Sequence, residues 1–287
     1  MIAAVDLAAR LGAKRSARSY RCDCPACAYP AAFSIRKNHD GRARVWCANG
    51  CTSETLDATL QQIVGGDWTP PPRPAAADIE EQRAQQRNRA LREWAGSTPA
   101  PGTLAAIYLA WRSLPDLAAS PALRFRGDAT HPEGGRLPAL VAQILNVTGQ
   151  HIADHRTYLA RDGQGKANVT PEKASLGPLW GGAIRLQPYE PGKPLIVGEG
   201  LETSASAGLL MGFPAWAAIS AGNMAKGLIL PPDVRHVIVA VDPDPPGERA
   251  SKEAAARWQK EGRRVQFAKP TEKQDFNDLL RAGGQHG

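Results

Sequence analysis

From Pro191 onward the chain alternates short apolar runs with longer helix-forming segments, and this rhythm restricts the fold more than any other feature. "PLIVGEG", "PAWAAIS", "HVIVAVD" and "RRVQFAKP" read as strands, "LETSASAGLLMG" and "GERASKEAAARWQKEG" as helices. Runs that are apolar on both faces, separated by helices, predict a parallel sheet whose crossovers cover it. Such strands end at a common edge, and in open sheets that edge is where ligands bind. The first run ends at Glu199; the third ends at Asp242, with Asp244 two residues on. Pro243, Pro245 and Pro246 leave the segment carrying the two aspartates little freedom. Close carboxylates repel, which favours a cation between them.

Three acids without a neighbouring His, Cys or Lys nucleophile are poor equipment for acyl transfer. They suit Mg²⁺ or Mn²⁺, hard ions that take carboxylate and phosphate oxygens and serve phosphoryl transfer. No Gly-x-x-x-x-Gly-Lys-Ser/Thr occurs, which excludes a P-loop ATPase. With 287 residues, 43% hydrophobic and 22% charged, the chain has room for two domains or for one domain and a small module. No stretch approaches the roughly 18 apolar residues of a membrane span. The first residues are too short, and at Asp6 too soon acidic, for a secretory signal. The expected location is the cytoplasm, with no membrane partner.

All five cysteines fall between Cys22 and Cys51. Outside an oxidising compartment such a cluster points to a metal site rather than disulfides. "CPAC" and "CANGC" offer paired ligands on two knuckles, and "FSIRKNHDGRARVWC" between them reads as two strands joined at Asn38-His39-Asp40-Gly41. That is the plan of a zinc ribbon with one structural zinc. Four ligands are needed from five cysteines; Cys24, Cys27, Cys47 and Cys51 are the expected set, because Cys-x-x-Cys makes the usual knuckle and Cys22 precedes it. The net charge of +7 is concentrated here: nine basic residues lie between Arg10 and Arg44, opposed only by Asp23 and Asp40. A phosphate-binding surface is expected, with Arg36, Lys37, Arg42 and Arg44 in it.

"DWTPPPRPAAAD" reads as a proline-rich spacer, and "IEEQRAQQRNRALREWAG" as an exposed connector helix without an apolar stripe. From Thr103 a core resumes: "LAAIYLAWRSL" as a helix, "PALVAQILN" and "IADHRTYLA" as strands turning at Thr148-Gly149-Gln150, then a glycine-rich corner, "LGPLWGGAIRL". Basic residues recur in it, among them Arg156, Lys173 and Arg185.

"IVGEGLETSAS" and "VIVAVDPDPPGERAS" resemble the two signature motifs of the toprim domain of DnaG-type primases, topoisomerases and some nucleases. The resemblance implies that Glu199 is the family's glutamate, a general acid/base or metal ligand. It likewise implies that Asp242 and Asp244 are its metal-binding pair and Gly247 its glycine. "QDFNDLL" resembles the family's Asp-x-Asn-Asp segment, with Asp275 and Asp278 in the acidic places. "CPAC…AAFSIRKN…VWCANGC" resembles the zinc-binding domain of bacterial and phage primases, with Cys-x-x-x-Cys in place of the commoner second pair. Residues 137–186 resemble the region that precedes toprim in phage and plasmid primases. Together these imply a DNA primase of mobile-element type. It would make short primers on single-stranded DNA from nucleoside triphosphates beside a separate helicase, with Trp46 or Phe33 stacking on the template and Arg156, Lys173 and Arg185 contacting template or triphosphate. The expected division is a zinc ribbon over 1–66, a Pro-rich and helical linker over 67–102, an α+β part of the polymerase core over 103–190 and a toprim α/β domain with a parallel sheet over 191–287. A toprim nuclease would use the same acids on a phosphodiester, and an inactive single-strand-binding initiation module would not use them at all.

Overall fold

The chain divides into two units, Met1–Asp78 and Ile79–Gly287. The structure, a computed structural model, describes residues 2–16, 19–38, 41–70, 75–270 and 274–283. The expected hairpin residues His39 and Asp40, and part of the proline-rich spacer, lie outside the described residues.

In the first unit, α1 (Ala4–Arg10) precedes four antiparallel strands in sequence order: β1 (Lys14–Ser16), β2 (Ser19–Cys22), β3 (Phe33–Lys37) and β4 (Ala43–Cys47). Alternation along β3 turns Phe33 and Ile35, both fully buried, onto a core with Leu7 and Leu60. Each of these side chains contributes about 1.5–3 kcal/mol by leaving water. Helix α2 (Ser53–Val64) starts where the Thr52 hydroxyl accepts the Thr55 N–H at 3.2 Å. Trp68, assigned from the sequence to the spacer, is buried in this core and donates its indole N–H to Asp57 at 3.2 Å. The surrounding prolines hide it from a composition-based reading.

Helix α3 (Ala76–Ala95) begins at the end of the first unit and continues into the second; it is exposed over its first turns, as an exposed connector would be. Its last turns are not. Ala90 is fully buried, Trp94 packs against the Ala129, Val141 and Tyr158 cluster, and the Arg124 guanidinium lies 4.6 Å above the Trp94 ring. The stripe is built from an alanine, a tryptophan and arginine stems, too sparse to register as apolar periodicity.

An antiparallel sheet follows in the order β5 (Thr98–Pro99), β6 (Leu123–Thr130), β7 (Arg136–Leu145), β8 (His151–Tyr158) and β9 (Lys173–Leu176), with α4 (Leu104–Trp111) between β5 and β6. The second sheet has the order β10–β12–β11–β13–β14, from β10 (Ile184–Arg185), β11 (Leu195–Gly198), β12 (Ala215–Ala217), β13 (His236–Ala240) and β14 (Arg264–Ala268). β12, β11, β13 and β14 are mutually parallel; β10 runs antiparallel at the edge. Helices α5 (Leu201–Met211), α6 (Pro245–Lys260) and α7 (Phe276–Gly283) complete it. One apolar core serves both sheets, joining Tyr108, Leu140 and Ile144 to Ile196, Leu201, Ile238 and Phe276. Among the described residues no helix is long and apolar enough to cross a membrane.

Strand order locates a crevice. From β11 the chain passes through α5 to β12 on one side, then returns to β13 on the other. That reversal is a topological switch point, and it opens a crevice beyond the carboxyl ends of β11 and β13.

Candidate active site and metal centre

Glu199 follows β11 directly, and Asp242 and Asp244 follow β13, so the switch point carries all three acids. The Glu199 carboxylate accepts the backbone N–H of Ala221, and the Asp242 carboxylate accepts the Thr203 hydroxyl. Burial, then the negative charges of Asp242 and Asp244, push the Glu199 carboxyl up to about 7. Burial, then Asp244 and Asp275, push Asp242 up to about 6, against the help of Thr203. Lys173 favours ionisation of both acids. A divalent cation between them would relieve the penalty that these acids carry.

Asp244 has a second task. It is the N-cap of α6, its Oδ1 accepting the Gly247 N–H at 2.6 Å, with Pro245 and Pro246 opening the helix. Gly247 is a steric requirement: a Cβ there would stand 2.9 Å from Asp242 Cβ, from the Asp242 carbonyl oxygen and from Asp244 Oδ1. Both aspartates of the Asp-x-Asp-x-x-Gly segment therefore press on the glycine that closes it. Asp275 and Asp278 cap α7 reciprocally, Asp275 Oδ1 accepting the Asp278 N–H at 2.8 Å and Asp278 Oδ2 the Asp275 N–H at 3.3 Å.

The sequence reading missed Glu202. It sits in α5 among small residues, where nothing but its lone charge marks it. Its carboxylate is buried between the Tyr108 hydroxyl, which donates at 2.6 Å, and Lys173 Nζ, which donates at 2.8 Å. Burial alone would push this carboxyl up, but the Lys173 ammonium and the Tyr108 hydroxyl hold it well below the usual carboxylate range. Lys173 is thereby fixed beside Glu199 and Asp242.

The other two basic residues expected in this unit are differently engaged. Arg156 is buried, donates to the Thr130 carbonyl at 2.7 Å and lies 5.9 Å above the Tyr158 ring. Arg185 donates to the Asn146 carbonyl at 2.6 Å and stacks on Trp216 at 4.4 Å. Both side chains are engaged in bracing the fold. A sequence shows charge but not the carbonyl or ring that occupies it.

In the first unit the Sγ atoms of Cys24, Cys27, Cys47 and Cys51 all lie within 4.8 Å of one another, with Cys24–Cys51 at 3.9 Å and Cys27–Cys47 at 3.8 Å. Four thiolates about 2.3 Å from a tetrahedral zinc stand about 3.8 Å apart, so the donor set fits the ion. Cys22 pairs with Phe33 across β2 and β3 and stands outside the set. Burial opposes ionisation of Cys27, but hydrogen bonds from Asn49 and the Tyr29 amide outweigh it and lower the thiol to about 7. Burial raises Cys24 to about 11.

Register sorts the basic residues. Lys14, Arg21, Ser34 and Trp46 form one cross-strand row, and Arg36 faces Arg44 in the row two residues along. These residues share one face of the sheet, where Arg36 and Arg44 are exposed and Trp46 is 59% exposed. Lys37 and Arg42 are exposed as well. Phe33, expected as an alternative stacking residue, is fully buried on the opposite face and cannot serve.

Residues 194–286 match the family model described as Toprim domain, which bears out the toprim reading of the motifs around Glu199 and Asp242. Residues 84–186 match one described as Domain of unknown function (DUF7146). No curated protein matches the chain. Among solved structures, a DNA primase domain from Pseudomonas aeruginosa is 18% identical over 54% of this chain and 52% of that one, with a TM-score of 0.38. The E. coli primase catalytic core is 17% identical, covering 71% of this chain and 76% of that one, with a TM-score of 0.44. The primase fragment of the bacteriophage T7 primase–helicase protein is 13% identical, covering 94% and 97%, also at 0.44.

Proposed function

We propose that this chain is a DNA-directed primase: a nucleotidyltransferase that makes short oligonucleotide primers on single-stranded DNA, of the type carried by phages and plasmids. The observation that carries the reading is the meeting of Glu199 with Asp242 and Asp244 at the switch point of a Toprim sheet, where burial and then neighbouring carboxylates raise both Glu199 and Asp242. Glu199, Asp242 and Asp244 would hold Mg²⁺ or Mn²⁺, which when bound supplies neutralisation of charge on a triphosphate. A primer 3′-hydroxyl attacks the α-phosphate and pyrophosphate leaves. The proton of that hydroxyl would pass to solvent, because the charge of a bound ion would lower Glu199 from the value of about 7 that it has without one. Lys173, steadied by Glu202, opposes the negative charge of the substrate.

The N-terminal unit would engage the template. Its thiolate set would take one structural zinc, and the Arg36–Arg44 row would meet phosphates while the exposed Trp46 stacks on a base. The single-stranded template, the triphosphates and a separate helicase are the partners in this reading, and the cytoplasm is its location.

Incubation of the chain with single-stranded DNA, labelled nucleoside triphosphates and Mg²⁺ or Mn²⁺ tests it. Short oligomers are expected. Degradation of the DNA without synthesis would identify a nuclease instead, and binding without either reaction an initiation module.

A further inference from the structure

Trp180 is 49% exposed, in a loop that neither the acids nor the zinc set uses. One face of its ring is occupied: a Cβ built on Gly227 would come within 2.7 Å of Cε2 and 2.8 Å of Cδ2, the atoms at the centre of the indole. The ring therefore lies flat on the Gly227 backbone, and only a glycine permits that approach. Half of the residue's surface is nonetheless open to solvent, which leaves the face away from Gly227 as the one a ligand could use.

The platform is rigidly tied to the acids. Asn223, fully buried, accepts the Gly181 N–H at 2.9 Å and donates to the Gly182 carbonyl at 2.9 Å and the Ala218 carbonyl at 2.8 Å. The loop that Asn223 belongs to is the one that holds Glu199. The Ile219 N–H bonds the Glu199 carbonyl at 2.8 Å, and the Ala221 N–H bonds the Glu199 carboxylate. Ile219 has φ +74, a left-handed conformation that a β-branched residue adopts only at an energetic cost. Strain of this kind persists where surrounding structure imposes it, and it clusters at functional sites. The turn Asn223–Gly227 is π-helical, a geometry that concentrates at such sites too. Lys226, on the same turn, is exposed.

We infer that the open face of Trp180 is a stacking subsite for a nucleobase, which Asn223 holds in register with the Glu199 loop and which Lys226 supplies with a cation for the adjoining phosphate. The inference rests on the primase reading and extends it to recognition of the base. Every base has a π-face, so such a subsite binds without strong sequence preference.

The base can belong to the incoming triphosphate or to the template, and binding measurements separate them. Trp180→Ala is compared with wild type for ATP against inorganic tripolyphosphate, and for a single-stranded oligonucleotide against one of the same length with abasic sites. Loss of a stacked base lowers affinity about 5- to 150-fold. If the base is the nucleotide's, ATP weakens by that factor while tripolyphosphate is unchanged. If it is the template's, the oligonucleotide weakens while its abasic counterpart is unchanged. Trp180→Phe keeps a ring and should retain most of the affinity. Unchanged ATP and oligonucleotide binding in Trp180→Ala overturns the inference, as does an equal loss in Trp180→Phe. Wild type that binds neither ATP nor single-stranded DNA refutes the primase reading itself, whatever the variants do.

Discussion

Replacing Asp242 by Asn should stabilise the protein in the absence of added divalent ions, and only above a definite pH. Asp242 is displaced from an ordinary 3.8 to about 6 by burial and then by Asp244 and Asp275. That displacement corresponds to at most about 3 kcal/mol against the anion, and solvent at this half-buried site reduces it to roughly 1–2 kcal/mol. The folded state holds this proton more tightly than the unfolded chain. Acid therefore favours folding between about pH 4 and 6, and the ionised form is a burden above that window. Asn is neutral throughout and still offers an oxygen to the Thr203 hydroxyl. Near pH 8 the variant should melt about 2–8 °C higher than wild type, and near pH 4 the two should coincide. Added Mg²⁺ or Mn²⁺ should reverse the order by binding the folded wild type preferentially. Scanning calorimetry in zinc-loaded buffer, first without and then with added Mg²⁺ or Mn²⁺, reads all three effects. A variant that melts lower than wild type near pH 8, or whose gain survives near pH 4, would refute the repulsion argument. Oligomer synthesis by Asp242→Asn at the wild-type rate would refute the catalytic one.

Elemental analysis should find one zinc per chain; Cys47→Ser should lose it and Cys22→Ser should keep it, whereas the reverse pattern would displace Cys22 into the ligand set. Lys173→Met should lower stability by about 3–5 kcal/mol in urea titration, because it strands the Glu202 carboxylate in the core, and the double variant with Glu202→Gln should recover most of the loss. Joint replacement of Arg36, Lys37, Arg42 and Arg44 should flatten the dependence of DNA affinity on salt by about 0.7 in logarithmic slope for each phosphate contact removed, and an unchanged slope would mean that these side chains face only solvent.

The sheet edge was legible because its signals are local. An apolar run such as Val237–Val241 has one plausible environment, and the acid after it must emerge at the strand's end. The cysteine set was legible for a similar reason, since two knuckles and a hairpin leave few ways to close a tetrahedron. The partners of Arg156, Arg185 and Phe33 were not legible because they are distant in sequence: a carbonyl at Thr130, the Trp216 ring, the apolar core with Leu60. Glu202 depends on Tyr108 and Lys173, which the fold alone brings to it. One sign was present and underused. Asp followed by Pro-Pro marks an N-cap and the first helical positions, so the prolines after Asp244 open α6 as well as stiffening a loop.

That cap binds heredity to chemistry. One oxygen of Asp244 accepts the first turn of α6, so on the proposed reading the residue meets two demands, one of folding and one of charge. A lineage without the proposed metal-dependent activity would be released from the second demand but not the first. Its replacements at this position should then be Asn, Ser or Thr, which still accept the amide, rather than Ala, which would cost the helix about 1 kcal/mol. Position 199 would keep only the demand for an acceptor of the Ala221 N–H, which a neutral Gln also meets. An inactive descendant would thus carry a recognisable scar: neutral hydrogen-bond acceptors at both 244 and 199.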